Sequence, residues 1–127
     1  MYIKKGARIL LVEDEQALRA IMAEELRDMG YDVTEADGVV SAVAALQDDF
    51  DLLLTDIRMG KVSGWDLAEA ARRMQPTIEV IYMTGYSDEK PRRVDRSIFL
   101  MKPFTVDQIM SIVSTCCTGA PGAQALC

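Results

Sequence analysis

The sequence predicts an α/β fold, a parallel, doubly wound sheet with helices on both faces. Short apolar runs recur five times, each too short to be a helix. Between most of them lie stretches with apolar residues at helical spacing, and strands that alternate with helices build parallel sheets. The run Asp51-Leu52-Leu53-Leu54-Thr55-Asp56 is apolar without alternation, the pattern of a strand buried on both faces.

Taken in order, Arg8-Ile9-Leu10-Leu11-Val12 reads as the first buried strand, and it ends in Glu13-Asp14-Glu15. Leu18, Ile21, Met22, Leu26 and Met29 fall on one helical face, and Gly30 supplies the left-handed residue that closes such a helix. Tyr31 to Glu35 alternates, which suits a strand near the edge. Asp37-Gly38 is a turn, and Val39, Val40, Val43 and Leu46 mark a second helix. After the leucine strand, residues 60–64 form a loop. A third helix runs from Trp65 to Met74 with Leu67, Ala71 and Met74 on one face, and Pro76 stops it. Ile78 to Met83 is the fourth strand. Ser87 to Arg96 is charged, contains a proline, and has room for a short helix at most. Ile98 to Met101 is the fifth strand. Thr105-Val106-Asp107-Gln108 has capping-box spacing and opens a last helix through Ile109, Ile112, Val113 and Cys116. The domain is expected to span residues 7–117. Residues 118–127 are small, polar and contain Gly and Pro, and are expected to be a disordered tail.

Composition narrows the function. At 127 residues, half of them hydrophobic, the chain is one domain able to hold its own core. No apolar run reaches the roughly 18 residues of a membrane span, and the N-terminus lacks the apolar stretch of a signal peptide. A cytoplasmic protein without membrane contact is expected. A net charge of −6 opposes sequence-independent binding of nucleic acid. Cys116 and Cys117 are adjacent and Cys127 ends the sequence, so no disulfide framework is expected. The chain has no histidine, which excludes a histidine triad, a histidine zinc ligand or a phosphohistidine carrier within it.

The polar residues at the strand ends carry the chemistry. Glu13 and Asp14 follow the first strand, Asp56 the third, Thr84 the fourth and Lys102 the fifth. A parallel sheet brings all these ends to one edge, where open α/β sheets bind ligands. Each residue alone has an ordinary reading: a loop acid or helix cap, a turn threonine, a solvated lysine. Together they place three carboxylates, a hydroxyl and an ammonium at one site. Carboxylates this crowded repel unless a cation joins them. Mg²⁺ fits, because it accepts a few carboxylates and keeps waters for a phosphate. Lysine is a common phosphate partner.

These residues resemble those of response-regulator receiver domains of two-component systems, the CheY-like family. The motifs are Leu-Val-Glu-Asp-Glu after the first strand, Leu-Leu-Leu-Thr-Asp-Ile-Arg-Met around the third, Met-Thr-Gly after the fourth and Met-Lys-Pro-Phe after the fifth. The resemblance covers about residues 7 to 115. It implies the strand order 2-1-3-4-5, with Asp56 as phosphoacceptor. It implies Glu13, Asp14, Asp56 and the backbone carbonyl of Arg58 around Mg²⁺, with Thr84 and Lys102 on the phosphoryl group. Phe99 matches the family's switch aromatic, and Lys102-Pro103 its usual cis peptide.

The mechanism so implied is attack by Asp56 on a phosphohistidine of a sensor histidine kinase or histidine phosphotransfer protein. Thr84 is then drawn to the new oxygens, Phe99 turns inward from a more exposed position, and a changed face meets a downstream protein. The domain would be no enzyme beyond catalysing its own phosphorylation and dephosphorylation. Arg58 and Tyr86, each two positions past a site residue, should slow attack by water.

Two departures from the family pattern stand out. Met59-Gly60 replaces Met-Pro. The stretch from Thr84 to Lys102 is several residues short, so the fourth helix is expected to be short or absent. Three alternatives are open. A haloacid-dehalogenase-type phosphatase would carry a second aspartate where Arg58 stands. A pseudo-receiver would bind partners without phosphorylation, which the complete site argues against. A receiver excised from a hybrid sensor kinase keeps the family and changes only the context.

Overall fold

A computed structural model describes residues 6–59, 62–84, 92–101, 105, 107–109 and 111–113 of the chain. Five strands form one parallel sheet: β1 (Arg8–Val12), β2 (Asp32–Ala36), β3 (Leu52–Asp56), β4 (Glu79–Thr84) and β5 (Ser97–Met101). Their order is β2-β1-β3-β4-β5, as the family resemblance implied. Helices α1 (Gln16–Asp28), α2 (Val39–Ala45) and α3 (Gly64–Met74) connect them, and residues 107–109 and 111–113 are helical after β5.

Side chains alternate across the sheet, and the two faces feed two cores. Leu11, Leu52, Leu54 and Met83 pack with Met22 and Leu26 of α1, and with Ile109 and Val113. On the other face Leu10, Val12, Leu53 and Tyr82 pack with Leu46, Trp65, Leu67 and Ala71, under α2 and α3. β1, β3 and β4 are central and buried almost throughout, which explains their unbroken apolar runs. β2 lies at an edge, as expected, but its burial does not alternate strictly: Val33 packs into one core and Ala36 into the other.

Local signals end the helices where they were read. Gly30 adopts φ +96°. Its N–H donates to Arg27 O (2.9 Å), and that of Tyr31 donates to Leu26 O (3.2 Å), the paired bonds of a Schellman motif. The Thr105–Gln108 capping box is present. Gln108 N donates to Thr105 Oγ1 at 3.1 Å, and Thr105 N to Gln108 Oε1 at 2.8 Å.

Three apolar stripes differ from expectation. Val40 is 88% exposed and Val43 is also on the surface, so α2 turns inward through Ala42 and, just past its end, Leu46. Ile21 of α1, Met29 just past its end and Met74 of α3 are likewise exposed. Short helices with apolar residues on more than one side leave the inward face to tertiary packing. β2, β4 and β5 begin one residue away from where the sequence placed them, within the usual uncertainty of element ends.

Gln75 at the end of α3 pins the connection from α2 to β3. Its Oε1 accepts from Phe50 N (2.8 Å), and its Nε2 donates to Leu46 O (3.2 Å) and Asp48 O (2.8 Å). A loop that packs into the core needs such partners for its backbone. Gln75→Ala is expected to destabilise the fold by about 1–3 kcal/mol, read as a lower urea midpoint at unchanged slope. An unchanged midpoint would mean that water replaces the amide without cost.

Candidate functional site

Four strand ends meet at the carboxyl edge of the sheet. Register fixes this, because Val12 pairs with Thr55, Asp56 with Met83, and Thr84 with Met101. Glu13, one residue past β1, therefore stands beside Asp56, the last residue of β3. One carboxylate oxygen each of Glu13, Asp14 and Asp56 lies within 4.8 Å of the other two. Glu13 is 1% exposed and Asp56 7%, while Asp14 faces solvent. Like charges at this range repel by about 3 kcal/mol or more per pair at an effective dielectric near 20, less where solvent reaches Asp14. The donor set is hard, all-oxygen and anionic, and it fits a divalent cation such as Mg²⁺ that takes few protein ligands.

The surrounding backbone holds these acids in place. Glu13 N donates to Ala36 O (3.1 Å). Glu15 N donates to Glu13 Oε2 (3.1 Å), and Arg19 Nη1 to Glu13 O (2.8 Å). Thr55 Oγ1 donates to Asp56 O (2.9 Å), and Arg58 N to Asp56 Oδ1 (3.4 Å). Arg58 is exposed at the mouth. The chain then returns onto Asp56. Gly64 N donates to Ile57 O at 2.7 Å, and a Cβ at Gly64 would collide with the Asp56 carbonyl and lie 2.9 Å from Ile57 Cα. Glycine at 64 is what lets α3 start against the backbone of Asp56.

Thr84 closes β4 and is 3% exposed. Lys102, Pro103, Gly60 and Tyr86 lie outside the described residues, as do 118–127. Phe99 on β5 is half-buried. Its ring meets Trp65 edge-on at 5.4 Å and Tyr82 at 5.4 Å, and Trp65 and Tyr82 are 4.8 Å apart. Phe99 and Trp65 thus belong to one aromatic cluster between the sheet and α3.

Residues 92–96 form a strap over this cluster and are not helical. Arg92 pairs with Asp66 (2.8 Å) and Glu69 (3.2 Å) of α3. Arg93 lies over the Phe99 ring at 5.3 Å. Val94 N donates to the Tyr82 hydroxyl (3.1 Å), and burial pushes that phenol above its ordinary pKa, so it stays protonated. Arg72 Nη1 donates to Asp95 O (2.7 Å). The part of Ser87–Arg96 that is described therefore carries no helix, in line with a short or absent fourth helix. Sequence reasoning passed over this strap. It also passed over the α3 capping box, in which Ser63 caps Asp66 N and Asp66 reaches back to Ser63 N. The Ser-x-x-Asp spacing was a usable signal for that box.

Fold and site together define an α/β domain with a cluster of three carboxylates at the switch-point edge of its sheet. The chain belongs to the response regulator receiver domain family, whose model matches residues 9–114. It is similar to a response regulator receiver protein of Sinorhizobium medicae WSM419, with TM-score 0.82 and 31% identity over 91% of this chain and 97% of that one. It is 40% identical over 81 residues to the response regulator receiver protein CpdR of Brucella abortus, covering 63% of this chain and 68% of CpdR. It is 32% identical over 115 residues to the sensor kinase CckA of the same species, covering 85% of this chain and 12% of CckA. It is a CheY-like receiver of two-component signalling. No helix among the described residues is long and apolar enough to cross a membrane.

Gly64→Ala should lower stability by about 1–3 kcal/mol in urea denaturation, because the added methyl has no space against the Asp56 backbone. A neutral result would mean that α3 shifts freely. Asp66 titrates below its ordinary 3.8, first because of the Arg92 hydrogen bond and then because of Ser63. A carboxyl with a lowered folded pKa contributes stability above pH 3.8 and loses it as pH falls through the folded value. Asp66→Asn should therefore unfold at a lower temperature than wild type near pH 7, with the gap closing in more acidic solution. A gap independent of pH would refute this.

Proposed function

We propose that this domain accepts a phosphoryl group on Asp56 from a phosphohistidine of a sensor histidine kinase or histidine phosphotransfer protein, and passes the change to a protein partner. The observation that carries this reading is the convergence of the Glu13, Asp14 and Asp56 carboxylates within 4.8 Å at a sheet edge. The receiver unit spans residues 7–117 and works in the cytoplasm, and residues 118–127 are a tail outside it.

Glu13, Asp14, Asp56 and the carbonyl of Arg58 would hold Mg²⁺. When bound, the ion supplies positive charge to the phosphoryl oxygens and keeps coordination positions for them. An Asp56 carboxylate oxygen attacks phosphorus in line with the bond to the partner's imidazole. A P–O bond forms, the P–N bond breaks, and the imidazole leaves with the electron pair and takes up a proton. The half-shielded site keeps Asp56 pointed at the incoming group, so little reorganisation is needed. Lys102, which directly follows β5, balances charge on the transferred group.

The product carries about 1.5 to 2 negative charges. The Thr84 hydroxyl turns toward them and vacates space beside β5. Phe99 has no hydroxyl, so it answers by packing alone, moving deeper against Trp65 and Tyr82. The face formed by β5, the strap and the helix after β5 changes with it. The exposed Arg58 side chain at the mouth slows attack by water, as would Tyr86. The similarity to CckA, of which the chain spans a small part, supports the reading that such receivers also serve inside larger kinases. Arg58 in place of a second aspartate disfavours the phosphatase reading.

Incubation with Mg²⁺ and acetyl phosphate should add one phosphoryl group, seen by intact-protein mass spectrometry. Asp56→Asn should stay unlabelled, and chelation of the metal should suppress labelling of wild type. Equal labelling of Asp56→Asn would refute the assignment.

A further inference from the structure

An ion network lies behind Glu13, outside the carboxylate cluster. Arg19 of α1 is shielded, its side chain 16% exposed. Its Nη1 donates to the carbonyl of Glu13 (2.8 Å), and its Nε pairs with Glu35 Oε1 on β2 (3.4 Å). Glu35 in turn pairs with Arg27 at 3.2 Å, and Arg27 Nη2 donates to Val33 O (2.9 Å). The network ties α1 and β2 to one peptide group, the one between Glu13 and Asp14.

That peptide is planar, so fixing its carbonyl fixes the amide of Asp14 as well. The N–H on the other side of Glu13 is tied to Ala36. Held at both ends, Glu13 is restrained in φ and ψ, which sets the direction of its side chain and the position of the Asp14 Cα. We propose that Arg19, oriented by Glu35, is a positioning residue for the divalent-cation site: it holds the Glu13–Asp14 peptide so that both carboxylates face Asp56. This rests on the reading of that cluster as a cation site.

The sign of the effect separates positioning from simple electrostatics. Arg19 is a cation near a cation site, and removing its charge would by itself tighten binding of a divalent ion. Loss of positioning weakens it. Arg19→Lys keeps the charge and loses the planar fork that reaches Glu13 and Glu35 together.

The test is Mn²⁺ binding to the 127-residue chain, followed by electron paramagnetic resonance of the free ion, beside thermal unfolding of each variant. Roughly tenfold weaker binding is expected for both Arg19→Lys and Arg19→Gln, the scale typical of residues that orient metal ligands. Glu35→Gln, which leaves the Glu13 contact in place, should show a smaller loss in the same direction. Unchanged or tighter binding in both Arg19 variants would overturn the proposal, including the case in which only the thermal midpoint falls. Asp14→Asn is the separate control: wild-type affinity there would mean that the cation-site reading has failed, whereas a loss there with none at Arg19 would sink the positioning role alone.

Discussion

Negative charge crowded at one edge of a parallel sheet is the constraint that the rest of the structure answers to. Glu13 and Asp56 are nearly fully buried, and Asp14 stands against them. A carboxylate out of water is costly unless hydrogen bonds and opposite charge surround it. The fold meets part of that need with backbone donors, through Glu15 N to Glu13 and Arg58 N to Asp56. A divalent cation would meet the remainder. The two-core packing of the sheet serves the same end, because central strands buried on both faces leave their ends little freedom.

Rigidity is built closely around that edge. Glycine at 64 brings the first turn of α3 against the peptide of Asp56. Arg19 grips the carbonyl of Glu13 from the other side of the sheet edge. The aromatic cluster of Trp65, Tyr82 and Phe99 lies beneath α3 and the strap, on the same core as Ile57. Phe99 is half-buried at the rim of this cluster, in edge contact with Trp65 and under the Arg93 guanidinium. That suits the proposed switching role.

Much of this was legible in the sequence, for identifiable reasons. Central parallel strands announce themselves as unbroken apolar runs, and so Leu10 to Val12, Leu52 to Leu54 and Val80 to Met83 were placed correctly. Gly30 and the Thr105–Gln108 box gave helix ends through local chemistry that needs no tertiary information. The acids after β1 and β3 were readable because topology alone brings them together, whereas the strand order came with the family resemblance. What stayed hidden depends on contacts remote in the chain. Val40 and Leu46 look equally apolar, and only the packed sheet decides that Leu46 goes inward. Nothing in one sequence marks Gln75 as the anchor of residues 46–50, Arg19 as a partner of the Glu13 carbonyl, or Gly64 as a point of contact with Asp56. The Ser63–Asp66 box was visible in its spacing, but Ser63 was read only as part of the loop before the helix.

Asp66 closes the first turn of α3 and also receives Arg92 from the strap. One carboxylate therefore stands in two places that lie far apart along the chain. Fraying of the helix start would leave the arginine with Glu69 alone, and lifting of the strap would take a partner from the helix start. The exposed pair couples the two segments only weakly, but the coupling runs over Phe99 rather than through the sheet.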